Sequence, residues 1–183
     1  VSDPASPSAQ SPSVAVTGTP GTGKTTATNA LTEHGVDTPV INLNDEIRDQ
    51  NLWSERDVER DSLVTDLGAV ETHLGEWNGI LESHLAHRFD ADRVVVLRCS
   101  PAVLERRLRD RGESEQKARE NAESEALDVI LTEAVDIHGF DSVYEIDTTD
   151  RDPMAVAADI RDALENERPP SAGAVDFTEY LVG

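Results

Sequence analysis

Gly18-Thr19-Pro20-Gly21-Thr22-Gly23-Lys24-Thr25, followed by Thr26, sets three glycines, one lysine and a row of hydroxyls at the spacing that holds a chain of phosphates. The glycines let the backbone turn so that successive N–H groups point at anionic oxygens. Lys24 can neutralise the β and γ charges, and the Thr25 hydroxyl can ligate Mg²⁺. The helix expected to follow adds the positive end of its dipole. These residues read as a P-loop for a nucleoside triphosphate, and leave open what receives the phosphoryl group.

Three further groups bear on the acceptor. Asn42-Leu43-Asn44-Asp45-Glu46-Ile47-Arg48 ends in an arginine able to form a bidentate fork with an acceptor phosphate; the plainer alternative is a surface ion pair with Asp45 or Asp49. Glu82-Ser83-His84 closes an apolar run, where Glu82 could hold a water of the Mg²⁺ shell or orient an attacking water, and His84 could polarise that water. The alternatives are a carboxylate closing the sheet and a neutral hydrogen-bonded histidine. Arg106-Arg107-Leu108-Arg109-Asp110-Arg111-Gly112, with Lys117 and Arg119 beyond, concentrates cations at a helix–Gly–helix corner. Such a corner suits a short lid that closes on polyphosphate and excludes water. Pairing with Glu105, Glu113 and Glu115 along the helices is the structural alternative.

Positioning these groups needs strands that end together. Short apolar runs at Val14–Val16, Val40–Leu43, Gly79–Glu82, Val94–Leu97 and Val143–Ile146 alternate with helical patterns, which predicts five buried parallel strands with crossover helices. Helices are expected over Lys24–His34, Asp61–Trp77, Ser114–Asp136 and, from the Ser100-Pro101 and Asp152-Pro153 caps, to about Asp110 and Asn166. The fold class is a doubly wound α/β sheet of the P-loop NTPase type, whose ligands bind at the carboxyl ends of the strands. Residues 1–13, rich in Pro and Ser, read as a disordered leader. Residues 167–183 read as a linker plus an apolar tail, Phe177 to Leu181, which docks on the protein itself or on a partner, with self-docking favoured.

Composition bounds the partners. The 183 residues hold 37 Asp and Glu against 16 Lys and Arg, a formal charge of -21, and the only lysines are Lys24 and Lys117. Free nucleic acid is excluded as the main ligand, since phosphate backbones are bound by Lys and Arg neutralisation. A basic protein partner fits. The acidity, the mean hydropathy of -0.46 and the loss of lysine match adaptation to concentrated salt, where a Debye length of about 3 Å at 1 M lets dense carboxylates coexist. The lone Cys99 excludes an internal disulfide, and no apolar stretch reaches the roughly 20 residues of a membrane span. A cytoplasmic monomer is the expectation.

Taken together and in order, GTPGTGKTT, NLNDEIR, Glu82-Ser83-His84, VVVLRCSP leading into LERRLRDRG, and KARENAESE resemble the adenylate kinase isoenzyme 6 type, an archaeal and nuclear branch of the nucleoside monophosphate (NMP) kinases. The likeness runs from about Val14 to Asn166. It implies an NMP-kinase-like domain over 14–166, with an NMP-binding insertion around 43–66 and a short lid around 110–120. It also implies adenylate kinase activity on AMP or another NMP, an ATPase activity, and a part in small ribosomal subunit maturation through a small-subunit ribosomal protein. By position, ATP would be bound by Gly21, Gly23, Lys24, Thr25, Thr26 and the lid residue Arg111. Glu82 and His84 fall on the family's acid-x-His motif, with Glu82 reaching Mg²⁺ through water. Arg48, Arg107 and Lys117 would face the NMP and the migrating phosphoryl group, and Arg111 would stabilise its charge. Two alternatives stay open: an ATPase assembly factor acting on a basic ribosomal protein with little NMP kinase activity, and a small-molecule kinase with a non-nucleotide acceptor, for which Asn42-Leu43-Asn44-Asp45 lacks the Asp-x-Asp that shikimate-kinase-like enzymes favour.

Overall fold

Every one of the five apolar runs forms a strand. The computed structural model describes residues 11–58 and 62–182. β1 (Ser13–Thr17), β2 (Val40–Asn42), β5 (Gly79–Glu82), β6 (Arg93–Arg98) and β7 (Val143–Asp147) make one parallel sheet in the order β2-β5-β1-β6-β7. A separate antiparallel hairpin, β3 (Trp53–Asp57) with β4 (Ser62–Thr65), stands off it. The helices are α1 (Lys24–Glu33), α2 (Leu43–Asp49), α3 (Leu67–Leu74), α4 (Pro101–Asp110), α5 (Glu115–Ala126), α6 (Val129–His138) and α7 (Pro153–Leu164).

Side-chain alternation along the strands separates two cores. Val14, Val16, Val95 and Leu97 face α1 and α7, meeting Ala27, Leu31, Val156 and Ile160. Ala15, Leu81, Val94 and Val96 face the opposite layer, meeting Leu43, Ile47, Val70 and Leu131 from α2, α3 and α6. Strands covered on both faces are apolar along most of their length, which is why the runs are near-continuous rather than alternating. A third, smaller cluster of Leu104, Leu108 and Ala118 joins α4 to α5 beside Cys99.

Three expected elements change. Asp61–Trp77 is not one helix: β4 takes Ser62–Thr65, and α3 starts only after Asp66, whose carboxylate caps it by accepting the Ala69 N–H at 3.0 Å. Ser114–Asp136 is two helices, broken where Asp128 adopts a left-handed φ of 55°. The apolar period continues across that break, so hydrophobic spacing alone conceals it. The expected leader, 1–13, lies outside the described residues up to residue 10. Ser13 already belongs to β1, and the Pro12 carbonyl accepts the Gly79 N–H at 3.1 Å.

The tail returns to the body. Ser171 N–H donates to the Val143 carbonyl on the edge strand at 3.0 Å, the N–H groups of Ala174 and Val175 donate to Glu145 at 2.7 and 3.1 Å, and the Tyr180 hydroxyl reaches Glu105 of α4 at 2.8 Å. Among the described residues no helix is long and apolar enough to cross a membrane.

Candidate functional site at the strand ends

Because β1 lies between β5 and β6, the chain turns opposite ways on its two sides, and a crevice opens at the carboxyl ends of the strands there. The P-loop leaves β1 into that crevice. Gly18 is required on steric grounds: a Cβ at its φ of 143° would lie 2.4 Å from the Leu97 carbonyl oxygen. Gly23, at φ 96°, starts α1 as its N-cap without a side chain, leaving the first N–H groups of the helix for a ligand.

Lys24 is buried, and its Nζ donates to the carbonyls of Gly18 at 2.8 Å and Thr19 at 3.1 Å. Burial pushes its pKa down to about 8, against the opposing pull of Glu82 and Glu125 and with a further push from Arg111. Glu82 is also buried. Sheet register sets it beside Val16 and Asn42, whose amide donates to Glu82 Oε2 at 2.8 Å, while the Thr25 hydroxyl lies 3.3 Å from both carboxylate oxygens. Burial raises the Glu82 pKa; Lys24 and the Thr25 hydrogen bond hold it back. A hydroxyl and a carboxylate converging beside a phosphate loop are hard oxygen donors, the kind Mg²⁺ takes. The residues therefore fit the ion that the motif implies, which Thr25 and, through water, Glu82 would hold.

A cavity of about 460 Å³ opens over this pair. It is lined by Lys24, Thr25, Glu82, His84 and, from the lid side, Arg111 and Lys117. Asn44 and Ser62 line it from α2 and the hairpin. His84 has no hydrogen-bond partner among the described residues, and burial lowers its pKa to about 4, with Lys24, His87 and Arg88 adding to the effect. Its imidazole is thus neutral at pH 7 and free to accept or donate one hydrogen bond to a ligand or water.

A second cavity, about 240 Å³, lies on the other side of the P-loop between Arg107, Thr148, Arg151, Pro153 and Val156. Gly21, Gly23, Thr26 and Arg111 line both cavities, so the two meet over the loop. Of the other expected acceptor residues, Arg107 and Arg48 stand apart from the larger cavity, whereas Lys117 lines it. Arg107 does not line the larger cavity: its guanidinium points under the loop at Gly21 O, Cys99 Sγ and Thr148 O, 3.4 to 3.5 Å away. Arg48 is exposed and paired with Asp45 at 2.9 Å. Lys117 pairs with Glu113 at 3.0 Å along the helix.

Sequence reasoning missed Thr148, Arg151 and Val156, although the rule that ligands gather at strand ends marks the segment after Ile146 as a place to look. It also missed Arg98, a charge closing an otherwise apolar run, and His87, whose Nδ1 pairs with the Thr17 hydroxyl at 2.9 Å and whose Nε2 pairs with Glu133 at 2.9 Å.

If Lys24 acts as a cation, kcat/KM for the triphosphate should stay level through neutrality and fall along a limb near pH 8, since the lysine loses its proton there rather than near 10.5. No limb is expected at the ordinary histidine value of 6.5, because His84 is already neutral. A pH–rate series in buffers of constant ionic strength checks both.

A parallel five-stranded sheet with a complete phosphate loop at its switch point, an acid on the neighbouring strand and a basic corner above defines a P-loop NTPase domain of the NMP-kinase-like kind. Residues 14–128 match the model of the AAA domain family AAA_18. Among solved structures, shikimate kinase from Bacteroides thetaiotaomicron superposes with a TM-score of 0.55 at 18% identity, over 84% of this chain and 98% of that one. A gluconokinase from Sinorhizobium meliloti 1021 gives 0.52 at 16%, over 86% and 93%. These likenesses show the fold. Proteins named "Putative adenylate kinase" are far nearer in sequence: that of Natronomonas pharaonis is 62% identical over 92% of this chain and 99% of its own length. Those of Halobacterium salinarum and Methanothermobacter thermautotrophicus are 56% and 43% identical, over 92% and 93% of this chain and 99% of each relative. The chain belongs to this archaeal family.

Proposed function

We propose that the protein is an NMP kinase of the adenylate kinase isoenzyme 6 type, moving the γ-phosphoryl group of ATP to AMP or another NMP. The observation that carries this reading is the pair of cavities meeting over the P-loop, because a donor and an acceptor need separate beds that share one phosphate cradle. The smaller cavity suits the donor base, with Arg107 and Arg151 at its walls. The larger one suits the transferred phosphate and the NMP.

In this mechanism the loop N–H groups and Lys24 hold the β- and γ-phosphates, and Arg111 swings little to reach the migrating group from a position bordering both cavities. Thr25 and, through water, Glu82 would hold Mg²⁺, which would supply positive charge against the phosphates. Arg48 leaves Asp45 for the incoming NMP phosphate; an exposed ion pair of this sort is worth only about 0–1 kcal/mol, so the exchange costs little. An NMP phosphate is already anionic at neutral pH and needs no general base. His84 is therefore surplus to transfer and, with Glu82 beside it, suits an attacking water, which supports ATP hydrolysis as a second activity.

Glu82 and His84 also support the family's wider role, an ATPase step in small-subunit ribosome maturation that acts on a basic ribosomal protein. The charge of -21 attracts such a partner and not its RNA. The Arg-for-Lys bias supports work in molar salt in the cytoplasm. Lys117, on the lid flank of the larger cavity, is placed to leave Glu113 for phosphate when the lid closes.

The two activities are separable. Arg48→Ala should cut NMP phosphorylation by about 100-fold while ATP hydrolysis stays within about twofold, and His84→Ala should lower hydrolysis more than transfer. Coupled assays with and without NMP, in molar KCl, read both rates. Equal loss of both activities in both variants would refute this division of roles.

A further inference from the structure

At the end of β6 one guanidinium gathers three carboxylates inside the protein. Arg98 is 1% exposed, and it bonds Glu125 Oε1 through Nε at 2.8 Å, Asp128 through Nη2 at 2.5 Å and Glu145 through Nη1. Burying an ion cluster is seldom a gain in stability over apolar side chains of like volume, so this one calls for another account. Glu125 supplies it. Its Oε1 also accepts the Cys99 N–H at 3.0 Å, and its Oε2 accepts the Thr19 hydroxyl at 2.5 Å. Thr19 is the second residue of the P-loop, and its own carbonyl receives both Lys24 Nζ and the Thr22 hydroxyl. A carboxylate from α5 thus grips the phosphate cradle at the point where the cradle holds its lysine.

The place of Glu125 along α5 matters as much. The helix begins at the lid corner, and Glu125 is its penultimate residue, roughly 15 Å from Glu115 at 1.5 Å per residue. Just beyond, the chain breaks into α6 at the left-handed Asp128, whose carboxylate Arg98 also holds. The Glu125 carbonyl accepts Arg98 Nη2 at 3.1 Å as well. The arm is clamped at this end and carries the lid at the other.

We propose that Glu125 is a positioning residue that ties the P-loop to the pivot of the lid helix, so that filling the loop with phosphate and closing the lid are set together. Its effect on rate rests on the kinase reading above; the tie between nucleotide binding and α5 does not. Glu125→Gln keeps the shape and leaves Arg98 with two carboxylates, and Glu145→Gln removes an equally buried partner of Arg98 that makes no contact with the loop. Hydrogen exchange on the full chain, with and without saturating ADP and Mg²⁺, reads the tie directly. ADP should protect the amides of α5 in the wild type and in Glu145→Gln, and protect them less than about a third as much in Glu125→Gln. In ATP turnover, kcat should fall about tenfold in Glu125→Gln with KM for ATP within about threefold, and hardly move in Glu145→Gln. If Glu125→Gln does not fold, Thr19→Val should show the same loss and Thr19→Ser should restore it. Full protection in Glu125→Gln or Thr19→Val, or equal loss in Glu145→Gln, would overturn the proposal. A wild type in which ADP protects α5 but no NMP is phosphorylated would support the tie and count against the kinase reading alone.

Discussion

Replacing Lys24 with Met is expected to lower kcat for phosphoryl transfer by about 1,000-fold, some 4 kcal/mol of transition-state stabilisation, while the thermal midpoint holds or rises. Both halves follow from its surroundings. Among the described residues the ammonium is the one cation placed inside the loop, bonded to two backbone carbonyls that it would leave for phosphates. Burial lowers its pKa to about 8 from 10.5, and the nearby Glu82 and Glu125 offset only part of that desolvation. Methionine has nearly the same length and needs no solvation, so the fold loses no packing and sheds a buried charge. A structural lysine would behave the other way: its loss would lower the midpoint and leave kcat near normal. Turnover assays together with a thermal melt decide between the two.

Arg111→Ala should cost about as much in rate, again near 1,000-fold in kcat, with little change in stability. Arg111 ends α4 as its C-cap, exposed, and its guanidinium makes no ion pair among the described residues. In a chain with 37 acids, an arginine left unpaired beside the P-loop is held for something other than the protein's own carboxylates. It borders both cavities, where charge on a migrating phosphoryl group would develop, and arginines so placed contribute about 10³ to 10⁵ in rate. Arg111→Lys should recover only part of the loss, since an ammonium cannot form the bidentate fork. Single-turnover measurements with ATP and AMP, alongside ADP affinity by titration, would show whether the defect lies in transfer rather than in ground-state binding.

The sheet and the phosphate loop were legible because their signals are local. A parallel strand covered on both faces reads as a near-continuous apolar run, and a phosphate cradle needs glycine where a Cβ would strike Leu97. The hairpin of Trp53–Asp57 and Ser62–Thr65 was not legible, since Ser54, Glu55 and Arg56 face solvent and carry no periodicity to betray a strand. The break at Asp128 was hidden for the opposite reason, as Leu127, Ile130, Leu131 and Ala134 keep the helical spacing through it; a long-range bond to Arg98 holds the turn. Arg107 shows the limit of reading a basic cluster as one unit. It lies one turn before Arg111, the C-cap of the same helix, yet it packs under Gly21 on the side of the smaller cavity, because the cluster wraps a corner whose two faces border different cavities.

ATP turnover with and without an NMP tests most directly whether two beds share one phosphate cradle. With Mg²⁺ in molar KCl, at least one NMP should raise ADP production at least about tenfold over ATP alone, with the matching diphosphate appearing in equal amount. ATP turnover that no NMP accelerates, with no diphosphate formed from any of them, would contradict it.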